Sequence, residues 1–256
     1  KENNKHWFQI DPQLVNEIWS AFYPGMVEQA TERALWGARI TSDDWGTHPT
    51  MAYAAMISAA FFEDDIEKLV KLAVNAVPNT GPFAEGIRDV IRWHEQHDDW
   101  RVTRQLIHNK YWAYKSTELE APVSIVSSLN NGLTGIMALL YGEGDYSRTV
   151  GIATSAGYDS DNQAATLGGL IGTMKGMTGL NDDVVTRMKT LDAPWEWDEP
   201  FNNTYVNISR DEIALRTPIT EIAARIVAIA EQAIRDNGGR MIQKNDEVYY
   251  VINADI

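Results

Sequence analysis

Apolar residues recur along this chain at spacings of three and four, in runs separated by short polar or Gly/Pro breaks. That period predicts amphipathic helices over 13–22, 26–39, 66–77, 83–96, 100–111, 132–141, 146–156, 162–175, 182–189 and 219–236. The turn pair Pro24-Gly25 separates the first two. Segment 50–62 is different: Met51, Ala52, Ala54, Ala55, Met56, Ala59, Ala60 and Phe61 make it small and apolar nearly all round, which predicts a buried central helix. Extended pattern is scarce. Only 246–252, with Val248, Tyr249, Tyr250, Val251 and Ile252, reads as a strand, after Gly238 and Gly239 release the chain from the last helix. With no long repeat or Pro-rich linker, the pattern predicts an all-α protein: one helical domain over 1–240 and an extended tail over 241–256.

Composition narrows the function classes without naming one. At 256 residues and 44% hydrophobic the chain can bury a sizeable core. Lys plus Arg is 22 against 36 Asp plus Glu, so phosphate-backbone binding has no basic surface to rest on and nucleic acid is excluded as a partner. The net charge of −14 suits an acidic cleft that recruits cations, and solubility alone explains it equally well. With no cysteine there is no disulfide, no zinc-thiolate site and no thiol nucleophile. No apolar run reaches the roughly 18 residues of a membrane span. No serine-elbow motif is present, which sets serine hydrolase chemistry aside.

The run 157–176 carries the chemistry. Asp159 and Asp161, with Asn162 beside them, are hard oxygen donors of the kind magnesium or calcium takes. Ala164, Ala165, Leu167, Leu170 and Ile171 follow at helical spacing, so the cluster falls at a helix start, where the dipole favours negative charge even without metal. Asp161 or Asn162 as a plain N-cap is the competing reading. Gly168, Gly172 and Gly176 recur every fourth residue, and that stripe predicts the close passage of another backbone. Elsewhere, Asp145 is expected to cap the helix from Tyr146, and Glu63, Asp64 and Asp65 to compensate the dipole of the helix that follows. Trp195 and Trp197 are core aromatics by default, with stacking on a base as the alternative.

These residues also carry a resemblance. The segment from Gly142 to Val150, followed by that from Gly157 to Gly172, resembles the C-terminal metal motif of the ADP-ribosylglycohydrolase family. Tyr23-Pro-Gly-Met26, the helix from Met51 with Glu63-Asp-Asp-Ile66, Val77-Pro78, and the stretch from Ile87 to His94 look like the middle of the same family, in the same order. The similarity runs from about Ile10 to Leu180 and is most like a branch common in gut Bacteroidetes-type bacteria. It implies an orthogonal multi-helix domain that holds two magnesium ions and hydrolyses the glycosidic bond joining ADP-ribose, or a related glycoside, to its acceptor. By the family motif Asp161 would bridge the two ions, Asp159 would bind one, and Asn162 stands where relatives carry a Thr. Asn130 and Asn131 match an Asn-rich turn that lies toward the substrate, with helix capping as the other reading. Tyr158 and Ser160, which flank Asp159, are expected on the substrate side.

The front of the chain departs from the family pattern. The other half of the family's metal site comes from an early Gly-Asp and an acidic Thr-Asp-Asp-like run, and Thr41-Ser-Asp-Asp44 occupies a different family segment in which Ser42 replaces a His. His48 is expected to be structural, and Asp43 and Asp44 a helix-start loop. The chain does not open on Met, and the expectation is a missing N-terminal segment or chain whose absence exposes an apolar face. Two functions follow: a magnesium-dependent hydrolase of ADP-ribosylated substrates, or a binding or structural homologue whose active site is incomplete.

Overall fold

Two helices that are apolar on almost every side sit at the centre, and the others pack around them. The structure is a computed structural model and describes residues 3–114, 123–180, 203–207 and 214–256. The predicted helix over 182–189, Trp195 and Trp197 lie outside the described residues.

The helices run α1 (Asp11–Asn16), α2 (Ile18–Phe22), α3 (Val27–Ala38), a 3-10 turn (Asp44–Thr47), α4 (His48–Ala59), α5 (Ile66–Asn75), α6 (Pro82–Gln96), α7 (Trp100–Tyr111), α8 (Ser128–Gly142), α9 (Tyr146–Ser155) and α10 (Ser160–Gly179). α4 is buried except at Met51, and α8 is buried at every position, because a helix without a polar face has no stable place at a surface. α3 and α5 pack on α4, α6, α7 and α9 pack on α8, and α10 packs on α9 and reaches both central helices. Side-chain caps start α5 and α9, the second of them the expected cap at Asp145. Asp65 accepts from the Lys68 amide at 3.2 Å, and Asp145 from the Arg148 amide at 2.7 Å. Glu63 accepts from the amides of Asp64 and Asp65 at 3.1 and 3.0 Å.

Small strands complete the chain. β1 (Thr204–Val206) pairs antiparallel with β2 (Arg216–Pro218), α11 (Ile219–Asp236) packs on α2, and β3 (Arg240–Lys244) pairs antiparallel with β4 (Glu247–Val251). The tail predicted as a single extended segment is therefore a hairpin. Its turn residues Asn245 and Asp246 take φ of 52° and 62°, the left-handed pair that a tight hairpin needs. Beyond it, the Asp255 carboxylate accepts from the amides of Val27 and Glu28. It thereby caps α3, whose own N-cap Met26 has no side-chain acceptor, and ties the tail to the helices.

The first helix departs most from its predicted form. The single helix over 13–22 is two short ones, and their faces are inverted. Leu14, Val15 and Ile18 are 49%, 68% and 37% exposed, whereas Gln13 is 1% exposed and Ser20 is fully buried, its hydroxyl donating to Ala54 O at 3.0 Å. Trp36 and Ile40 are exposed as well. The preceding strand-like segment is fixed to the entry of α8: Ile10 N donates to Val126 O at 3.0 Å and Ser128 N to Phe8 O at 2.9 Å.

Close packing sits on α8. A Cβ on Gly135 would lie 2.0 Å from Tyr53 Oη and 2.4 Å from Gln163 Oε1. The Tyr53 hydroxyl is itself held, donating to Gly132 O at 2.9 Å. Gly135→Ala is therefore expected to destabilise by roughly 1–3 kcal/mol, measured by denaturant titration, because neither neighbour can withdraw without breaking a buried contact.

Candidate functional site

α10 begins from a left-handed turn. Gly157 and Tyr158 take φ of 78° and 63°, and Asp159 follows as the N-cap residue, its carboxylate making no capping hydrogen bond. The expectation that Asp161 or Asn162 caps the helix is corrected: both lie inside its first turn. The acidic side chains are left facing each other rather than serving the helix backbone. Tyr158 is the one bulky residue in that turn, where a Cβ is disfavoured. It is held by Arg104, whose guanidinium lies 4.0 Å from the ring centroid, by Trp112 stacked at 5.3 Å, and by a 2.8 Å hydrogen bond between its hydroxyl and His108 Nδ1.

Asn131 fixes the same turn from beneath. It is fully buried, its Oδ1 accepts from the Asp159 amide at 2.9 Å, and its Nδ2 donates to Ile125 O and Ser127 O at 2.8 Å each. Neither capping nor direct substrate contact describes it. Ser127 is the N-cap of α8, and both ends of the Asn131 amide are spent on backbone, joining Asp159 to the segment that enters α8. Asn130 does not cap either. It is buried with both polar atoms unpartnered. Ser160 opens α10 and is half-buried.

Asp161 lies near enough to act on the Asp159 carboxylate. Burial first, then Asp161, then Asp11 push the Asp159 carboxyl above its usual range. The Asn162 amide partly offsets this, although its Nδ2 lies outside hydrogen-bonding geometry. One turn deeper, Thr166 is the meeting point. Its hydroxyl lies 3.4 Å from Asn162 Oδ1 and 3.4 Å from Gln13 Nε2, which is also 3.4 Å from Gln163 Oε1. Glu17, at the joint of α1 and α2, hydrogen-bonds Thr166, and burial pushes its carboxyl up to about 7.

Asp11, Gln13 and Glu17 are the residues that sequence reasoning missed. The available signal was the polar pair Gln13 and Glu17 at i,i+4, which shares a helix face only if Leu14, Val15 and Ile18 turn outward. The glycine stripe of α10 also means something else than expected. Gly168 would meet only the Tyr146 side chain, at 3.3 Å, and a Cβ on Gly172 would meet nothing within 4 Å. Among the described residues no backbone passes close to these positions. Gly176, at φ 60°, breaks the helix instead. Gly172→Ala is accordingly expected to stabilise by about 0.5–1 kcal/mol in thermal or denaturant melts, by removing backbone freedom from the unfolded chain. At the front of α4, Asp43 caps the 3-10 turn, as expected of a loop residue, and His48 is buried, with burial bringing its pKa down to about 4. Ser42 is buried with its hydroxyl unpartnered.

The donor chemistry at the start of α10 fits a hard cation. Asp159, Asp161 and Asn162 offer oxygen donors, and behind them Glu17 Oε1 and Gln13 Oε1 are buried without partners among the described residues. The set is sparse. Among the described residues no group of three or more acidic or histidine side chains is gathered closely enough to hold a metal alone. A cavity of about 320 Å³ between α5 and Ile256 shares no lining residue with it. No described helix is long and apolar enough to cross a membrane.

A family model described as ADP-ribosylglycohydrolase matches residues 18–230. No curated protein and no solved structure matches the chain.

Proposed function

Because the chain belongs to the ADP-ribosylglycohydrolase family, whose members are generally metal-dependent, we propose that it is a magnesium-dependent hydrolase of the glycosidic bond in ADP-ribosylated substrates. Asp159, Asp161 and Asn162 are its cation ligands in this reading. The observation that carries it is the pairing of two carboxylates at the start of α10 that cap nothing, with the Asn162 side-chain amide beside Asp159. Structural capping would leave at least one of them bonded to a backbone N–H. Two like charges held together without such a role are best explained by a cation between or beside them.

The protein's part is binding and orientation. Asn131 holds the Asp159 backbone, and the clamp on Tyr158 holds the turn before it, so the carboxylates keep one geometry. Tyr158 and Ser160 flank the ligands on the partly open side, where a ribose or its acceptor would approach. Bound magnesium supplies charge for the diphosphate and acidifies a water. Asn162 differs from Thr in offering an amide oxygen with no hydroxyl proton to donate.

The test is release of free ADP-ribose from an ADP-ribosylated peptide by the purified chain, with magnesium and with EDTA. Release with magnesium only supports the proposal. No release from a folded protein under either condition favours the binding or structural homologue.

A further inference from the structure

This inference rests on the reading of Asp159, Asp161 and Asn162 as cation ligands. We propose that Gln13 and Glu17, from the joint of α1 and α2, form the inner wall of that site and accept hydrogen bonds from the water shell of the cation.

The α1–α2 segment is folded inside out, exposing Leu14 and Val15 while burying Gln13. Burying polar groups in place of available apolar ones costs free energy unless those groups have partners. Here they lack them. Among the described residues Gln13 Oε1 and Glu17 Oε1 are buried acceptors with no donor, and Asn162 Nδ2 and Gln163 Nε2, on α10, are buried donors with no acceptor. Gln13 and Gln163 are each 1% exposed and Asn162 is 3% exposed, so bulk solvent does not complete these bonds. Gln13, Gln163 and Thr166 are neighbours, and orphan donors and acceptors gathered in one place are the arrangement that ordered water satisfies.

The location of these groups decides whose water it is. Thr166 touches Glu17 on one side and Asn162 on the other, and Asn162 adjoins Asp159. Glu17 is thus one side chain removed from a proposed ligand, a separation that a bridging water spans. Magnesium dehydrates reluctantly and is bound through one or two carboxylates with several waters retained. A site of that kind needs few direct ligands but several acceptors behind them. This accounts for a ligand set too small to hold a metal alone standing in front of orphaned buried oxygens. Asp89, the buried carboxylate between α6 and α7, shows the contrast: Arg92, Lys110 and Tyr111 all donate to it, and it has no unmet capacity of this sort. Asp11, Gln13 and Glu17 also precede the span matched by the family model, so their role does not follow from that match.

Calorimetric titration of the full chain with magnesium chloride at pH 7.5, beside melting of the metal-free protein, tests the inference. Wild type is expected to bind, Asp161→Asn to lose the binding heat, and Glu17→Gln to bind roughly 10- to 100-fold more weakly. The metal-free melting temperature of Glu17→Gln should equal or exceed that of wild type. Wild-type affinity in Glu17→Gln, where Asp161→Asn does not bind, overturns this inference and leaves the ligand assignment standing. No binding by wild type overturns both. If Glu17→Gln does not fold, Gln13→Leu takes its place: weakened binding supports the inner wall, and unchanged affinity overturns it.

Discussion

Asp161→Asn is expected to lower magnesium-dependent release of ADP-ribose by more than about 100-fold while leaving the fold intact. The substitution keeps the shape of the side chain and removes its charge. Asp161 is exposed on the first turn of α10, so few packing contacts depend on it. Two opposing effects act on stability. Loss of a negative charge near the helix N-terminus costs about 0.3–1 kcal/mol, and relief of the repulsion with Asp159 offsets it. The melting temperature should therefore move little, and turnover should collapse. Asp159→Asn should act in the same direction on turnover. Its amide is still held by Asn131, so the turn keeps its position. Equal turnover in wild type and Asp161→Asn, at saturating magnesium, would remove Asp161 from the site.

The second large effect is on stability against pH, read in EDTA. Burial raises the Glu17 carboxyl from its ordinary 4.5 to about 7, with the Thr166 hydrogen bond acting against the rise. A group whose pKa is raised on folding contributes stability that is fully present below the unfolded value and is lost as pH climbs through the folded one. Glu17 thus costs the metal-free protein roughly 3 kcal/mol by pH 8 relative to pH 4. Glu17→Gln should be more stable than wild type by up to about that amount at pH 8, with the gain vanishing near pH 4. His48 runs the other way. Burial lowers it from 6.5 to about 4, Asp44 opposing, so its contribution is present above 6.5 and is lost as pH falls through 4. Between about pH 4.5 and 6.5 the two slopes largely cancel in wild type. Glu17→Gln should expose a fall in stability on acidification over that window, and His48→Gln a rise. Parallel pH profiles for wild type and Glu17→Gln, by urea unfolding at several pH values, would show that Glu17 does not stay buried and neutral.

The helices were legible because their period is a local property. α6, α7, α9 and α11 fall within a residue or so of their predicted bounds, and the burial of α4 follows from its having no polar face to turn outward. The hairpin was half legible. β4 has the aromatic and β-branched residues of a strand, whereas Arg240–Lys244 is mostly polar and is a strand only because β4 pairs with it. The carboxylate pair was also visible, as was its place at a helix start. Its N-terminal neighbours were not, because nothing local says that a helix will bury Gln13 and expose Val15.

By itself, then, the amino-acid sequence determined the helical fold class, the family and the presence of an oxygen-rich turn before α10, since each depends on residue types at short, fixed spacings. Tertiary structure decided which face of each marginal element is inside. It turned α1 and α2 over so that Gln13 and Glu17 meet Thr166, and it put Asn131 beneath Asp159. It also moved the close packing from the glycines of α10 to Gly135. The reason is physical: a glycine or a polar residue records only what a position lacks or offers, and the element that comes to lie against it determines whether that space is filled or that hydrogen bond is made.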